Sequence, residues 1–162
     1  YPGGPALSKL AQSGKHHFKL PRPLLNSGDL NFSFSGLKTS VLTLVNQQQP
    51  LDETTRADIA YEFQEAVTEV LTTKCMHSLR DTGLDNLIVS GGVGANEQLR
   101  ESLGQSCAKE GFSVHYPPMH LCTDNGAMIA FAGAMRLKKN PQLATKDWGF
   151  DVRPRWPLDE LE

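Results

Sequence analysis

Apolar positions along this chain change their period several times, and each change marks an element. "PALSKLAQSG" predicts a short helix closed by Gly14 as its C-terminal cap, and "LPRPLLNSGDLN" is a Pro/Gly/Asn-rich connection. "FSFSG" reads as a short strand. From Gly36 onward Leu37, Val41, Leu44 and Val45 recur at helical spacing until Pro50 stops the pattern. A long amphipathic helix is predicted over residues 54–80, with Ile59, Phe63, Ala66 and Val70 forming one apolar stripe. Asp58, Glu62, Glu65 and Glu69 lie off that stripe and read as a solvated acidic row. After Gly83 the period shifts: Leu87, Ile88 and Val89 form a continuous apolar run of the kind found in a strand covered on both faces. The glycine loop "SGGVGAN" follows at once. A helix then begins at Asn96, with Leu99, Leu103 and Cys107 four apart and Gly111 as its cap, and "FSVHY" makes the next strand. Last come the loop "PPMHLC", a helix over 123–138 and a polar tail carrying Trp148 and Trp156.

Strand, glycine loop, helix, strand, loop, helix is an α/β order, and such sheets bind ligands beyond the carboxyl ends of their strands. Both loops of interest fall there. Only about three strands can be counted, so the sheet is expected to need strands that this chain does not supply. The chain divides into a mainly helical region with a short strand (1–84), a strand-loop-helix-strand-loop-helix core (85–140) and a C-terminal tail (141–162), all within 1–162 as one lobe.

Composition narrows the classes. With 162 residues, one domain or one lobe of a larger protein is expected. No run of eighteen apolar residues is present for a membrane span, and the opening "YPGGPALSKL" has no signal-peptide pattern, so a cytoplasmic protein is expected. Cys75, Cys107 and Cys122 are far apart with no C-x-x-C spacing, which suggests neither a disulfide framework nor a zinc knuckle. The formal charge of −2 argues against nucleic-acid binding by bulk electrostatics alone. The first forty residues are nevertheless basic: Lys9, Lys15, Lys19, Arg22 and Lys38 face one acid, Asp29, with His16 and His17 among them. They read either as a phosphate-facing edge or as a solvated basic face.

The glycine loop is not a dinucleotide fingerprint. Gly92, Gly94 and Glu97 match G-x-G-x-x, but the third glycine is missing and "FSVHY" ends without an acid for a ribose. The Walker pattern also fails, because no Lys-Ser or Lys-Thr follows at the right spacing. What remains is specific enough to matter: bare backbone at Gly91 and Gly92 lets a flat or charged ligand approach, and Asn96 presents an amide at a helix N-terminus. The same residues also suit a tight strand-to-helix turn, with Asn96 as an N-cap contributing about 0.5 to 2 kcal/mol. Asp124, with Thr123 at the head of the last helix, reads either as a first-turn acid or as a metal ligand. A lone carboxylate does not make a metal site, and neither His115 nor His120 has a recognisable ligand spacing to it. Along that helix Gly126, Ala130 and Gly133 make a small face that invites close packing.

Taken together, "YPGGP", "FSFSGLKT", "SGGVGAN" followed by "LR", and "CTDNGAMIA" occur in the order that the TsaD family shows, and the ending "DVRPRWPLDEL" resembles the bacterial branch. The resemblance runs over essentially the whole chain. It implies a duplicated ribonuclease-H-like architecture shared with actin, Hsp70 chaperones and sugar kinases, of which this chain is the C-terminal lobe with a helical insertion. It also implies transfer of a threonylcarbamoyl group from threonylcarbamoyl-adenylate to the N6 amine of the adenosine beside a tRNA anticodon. Gly4 and Asn96 match positions lining the adenylate-bearing ligand, with Gly91 and Gly92 expected around the same pocket, and Asp124 matches a metal ligand.

The resemblance further implies a divalent metal ion, iron or zinc, completed by an H-x-x-x-H pair that this chain lacks. Implied partners are tRNA, a TsaB-type paralogue, a TsaE-type ATPase and the N-terminal half of the same enzyme, with no membrane. The family's nucleotide-contacting aspartate before "YPGGP" is missing too. The chain alone is therefore expected to be an inactive C-terminal fragment. No catalytic residue emerges: the cysteines have no clear His partner by local spacing and "SGGVG" is not G-x-S-x-G, so an older peptidase label for the family gains no support. Two rival readings stay open, a sugar-kinase or carbamoyltransferase relative and a non-catalytic scaffold paralogue.

Overall fold

The computed structural model describes residues 3–147, 149, 154, 155 and 157. The chain forms two compact units, Tyr1–Thr123 and Asp124–Glu162.

The first unit is organised around one long helix. Its elements are α1 (Gly3–Ala11), α2 (Phe34–Gln47), α3 (Glu53–Thr82), β1 (Asn86–Ile88), α4 (Glu97–Glu110) and β2 (Ser113–His115). Helix α3 starts where the Asp52 carboxylate accepts the Thr55 amide at 2.7 Å, and ends at Gly83, whose φ of 66° suits glycine. At 1.5 Å per residue it is about 45 Å long, enough to carry two apolar clusters. Near its middle Leu20, Leu37 and Ala66 are buried, with Val41, Leu44, Phe63 and Val67 against them. Toward its C-terminal end Met76, Leu79 and Cys107 pack with Leu87, Phe112 and Val114, which fastens α4 and the sheet to α3. The predicted stripe is present, since Ile59, Ala66 and Val70 are all buried.

The acidic row is a solvated face only in part: Glu69 is exposed and Glu65 half-buried, but the other two are not. Glu62 is fully buried and Asp58 nearly so, because the segment after α1 folds over them. Arg22 Nη1 donates to Glu62 Oε1 at 2.6 Å and Arg22 Nε to Glu69 Oε2 at 2.7 Å. His16 Nδ1 lies 2.8 Å from Glu62 Oε2 without hydrogen-bond alignment, and the Lys15 amide donates to Asp58 Oδ1 at 2.8 Å. Lys74, further along α3, is equally buried: its ammonium donates to Ser27 Oγ at 2.9 Å and to the Asp29 carbonyl, and lies 3.5 Å from the Asp29 carboxylate. A helix gripped on several sides buries polar residues only when each meets a partner.

Three local expectations are corrected. The "FSFSG" strand is absent: Phe34 already opens α2, and Phe32 and Phe34 stay exposed with rings stacked 6.0 Å apart. An apolar-polar alternation becomes a strand only beside a pairing partner, and none reaches this stretch among the described residues. Gly14 does not cap α1, which ends at Ala11. It is a packing glycine instead, since a Cβ there would sit 2.1 Å from the Ala57 carbonyl oxygen. The sheet, finally, has two parallel strands among the described residues, registered Asn86 to Ser113, Leu87 to Val114 and Ile88 to His115. Leu87 faces the helices, whereas Ile88 is 78% exposed, so only one face of the run expected to be covered on both is covered.

In the second unit α5 (Gly126–Lys139) begins after Asn125, whose side-chain oxygen accepts the Met128 amide at 3.1 Å. The N-cap is thus Asn125, and Asp124 precedes the helix instead of sitting in its first turn. Helix α5 buries no residue, and a Cβ on Gly126 or Gly133 would meet no atom within 4 Å among the described residues. Trp148 and Trp156 lie outside the described residues.

Candidate adenylate-facing site

Beyond Ile88 the chain leaves the sheet through a loop whose geometry needs glycine. Gly91 has φ 91°, a region that residues with a Cβ rarely adopt. Residues Gly92–Ala95 then make one 3-10 turn, closed by the Gly94 amide on the Gly91 carbonyl and the Asn96 amide on the Val93 carbonyl, both at 3.0 Å. Gly94 is buried against Val89. Gly91 and Gly92 are different: a Cβ on either would meet no atom within 4 Å, so their bare backbone faces open space.

Asn96 is the hinge between loop and helix, and every polar atom of its side chain is engaged. Its oxygen accepts the Leu99 amide at 2.9 Å, the expected N-cap. The side-chain nitrogen donates to Gln64 Oε1 on α3 at 2.9 Å and to Ser8 Oγ on α1 at 3.2 Å. Ser8 in turn donates to Gln64 Oε1 at 2.6 Å. Ser8 stands one helical turn after Gly4, on the same side of α1. The structure therefore joins the α1 face that carries Gly4 to the loop that carries Gly91 and Gly92, with Asn96 as the knot. Gln64 also donates to Gln98, which donates to Glu65.

The other flank of the loop is held by Arg100. Its guanidinium donates from Nε to the Gly94 carbonyl at 2.6 Å and from Nη2 to the Pro117 carbonyl at 3.0 Å, with Cys122 Sγ 3.2 Å away. The Tyr116 ring lies beneath it, 4.5 Å from the guanidinium carbon. Burial is the main cause raising the Tyr116 hydroxyl's pKa, and it raises the Cys75 and Cys107 thiols likewise. Neither of those cysteines is poised as a thiolate nucleophile.

Asp124 is exposed, opens the second unit, and forms no ion pair with any described residue. Among the described residues no group of three or more His, Cys, Asp or Glu side chains could hold a metal ion. His115 is engaged with Asn86 Oδ1 at 3.0 Å.

A family model described as tRNA N6-adenosine threonylcarbamoyltransferase, TsaD, matches residues 1–131. The chain belongs to the TsaD family. Relatives carrying that same name include proteins of Methylobacillus flagellatus (66% identical, covering 99% of this chain and 47% of the relative) and Herminiimonas arsenicoxydans (58%, 99% and 48%). One from Chromobacterium violaceum is 57% identical over 99% of the chain and 48% of its own length. The chain thus spans about half the length of the curated relatives it matches. Within the TsaD signature "SGGVGAN…LR", the resemblance marked Asn96 but gave no role to Arg100. Ser8 and Gln64 carried no sequence signal, because 56 residues separate two side chains that meet only in three dimensions.

Proposed function

We propose that the full-length protein transfers the threonylcarbamoyl group from threonylcarbamoyl-adenylate to the N6 amine of the adenosine next to a tRNA anticodon, and that this chain supplies part of the adenylate pocket. In that transfer the amine nitrogen forms a bond to the carbamoyl carbon, the bond from that carbon to the adenylate phosphate oxygen breaks, AMP leaves, and the amine loses a proton. The observation that supports the reading is the junction at Asn96, whose side-chain nitrogen bonds Ser8, one turn after Gly4 on α1, and Gln64 on α3, while a Cβ on Gly4, Gly91 or Gly92 would meet no atom within 4 Å. Bare backbone at Gly4, Gly91 and Gly92 would admit the adenine and ribose, and helix α4 starts beside them. Asp124 would give one carboxylate to a divalent ion, iron or zinc, whose remaining ligands, two histidines, come from outside this chain. The duplicated ribonuclease-H-like architecture, with this chain as its C-terminal lobe, belongs to the same reading, as do a cytoplasmic setting and partnership with tRNA, a TsaB-type paralogue and a TsaE-type ATPase.

The test is reconstitution of the full-length protein with its partner proteins, threonylcarbamoyl-adenylate and unmodified tRNA, scored by mass spectrometry of the nucleosides. Threonylcarbamoyladenosine should form, and the 162-residue chain alone should form none. Asp124→Asn should lower metal content and turnover together. Phosphorylation of a small sugar without tRNA modification would replace this reading with the kinase-like one.

A further inference from the structure

The glycine loop has few bonds of its own, and the side chain that holds its middle reaches it from the helix that follows. Arg100, one turn into α4, spans from the Gly94 carbonyl to the Pro117 carbonyl with Tyr116 stacked below, and the Tyr116 hydroxyl donates back to the Arg100 carbonyl at 3.4 Å. A planar guanidinium suits this place because it donates in two directions at once while its face rests on the ring, which a lysine cannot reproduce. Asn96 fixes the C-terminal end of the loop, and a Cβ on Gly91 or Gly92 would meet no atom within 4 Å.

We propose that Arg100 is a positioning residue: it clamps the glycine loop to the 117–122 segment so that the backbone facing the adenylate is preformed before the ligand arrives. The inference rests on the adenylate reading above and adds to it a residue that touches no ligand. Preorganisation of this kind acts on ligand affinity, because an unclamped loop must be ordered at the moment of binding.

The experiment uses the full-length protein with AMP as the probe, titrated calorimetrically into wild type, Arg100→Lys and Tyr116→Leu, with the melting temperature of each variant measured alongside. Arg100→Lys keeps the charge and the stem but not the fork, and Tyr116→Leu removes the stacking face together with the hydroxyl's bond to the Arg100 carbonyl. In both variants the AMP Kd should rise, roughly tenfold for Arg100→Lys, and the KM for threonylcarbamoyl-adenylate should rise with it while the KM for tRNA stays unchanged. A purely structural role would lower the melting temperature and the active fraction without moving either affinity. Folded Arg100→Lys or Tyr116→Leu protein that binds AMP within about twofold of wild type overturns the proposal. Should wild type itself fail to bind AMP, the adenylate reading fails, and the clamp with it; wild-type binding beside unaltered variants removes the clamp alone.

Discussion

Asn96 combines two tasks that single substitutions can separate. Asn96→Asp keeps an oxygen to accept the Leu99 amide, and aspartate caps a helix as well as asparagine does. It loses the donor to Gln64 and Ser8, leaving a carboxylate against the Gln64 oxygen at a cost of about 1 to 3 kcal/mol. The expected result is an intact α4 by circular dichroism with weaker AMP binding in the full-length protein; unchanged AMP binding would reduce Asn96 to a cap. Asp29 permits a second prediction at this scale. Hydrogen bonds from Ser27 and Asn31, assisted by the Lys74 charge, hold its carboxyl at about 2, below the ordinary 3.8. Because the folded value is the lower one, the stabilisation is complete above about pH 4 and fades as the pH falls toward 2. Urea midpoints across that window should fall less steeply for Asp29→Asn than for wild type.

At the scale of the element, α3 shows what the sequence pattern can and cannot announce. Its apolar stripe is visible because helical spacing is a property of the segment itself. The burial of Asp58 and Glu62 is not, because their partners Lys15, His16 and Arg22 arrive from a loop about forty residues earlier. The "FSFSG" strand fails for a related reason: a strand needs a neighbour, and local alternation says nothing about whether one exists. Asn96 as the cap of α4, by contrast, was legible from two adjacent features, a glycine turn and the start of a helical period. The Arg22–Glu62 pair should behave as a coupled unit. Arg22→Met alone leaves a buried carboxylate short of its cation and should cost about 2 kcal/mol, less than for a fully buried pair because Arg22 is partly exposed. Adding Glu62→Leu should recover most of that loss. A double-mutant cycle by urea denaturation checks it, and simple additivity would show that the two residues are not coupled.

For the whole molecule, the same incompleteness appears in each unit taken separately. The first leaves Ile88 and Val93 bare at the glycine-loop end of its two-stranded sheet, and the second leaves Ile129 and Phe131 bare along α5. Exposed apolar residues in such numbers favour self-association. The purified 162-residue chain should therefore elute larger than a monomer or bind a hydrophobic dye, and the full-length protein should do neither. Monomeric, dye-silent behaviour of the short chain would count against that expectation. Lys74 offers an internal gauge for such work. Its amine is enclosed by the Ser27 and Asp29 loop, whereas Lys15 and Lys38 stand in solvent. Amine-acylating reagents should accordingly modify Lys15 and Lys38 within minutes and spare Lys74, so peptide mapping of that one lysine reports what fraction of any preparation holds its native fold.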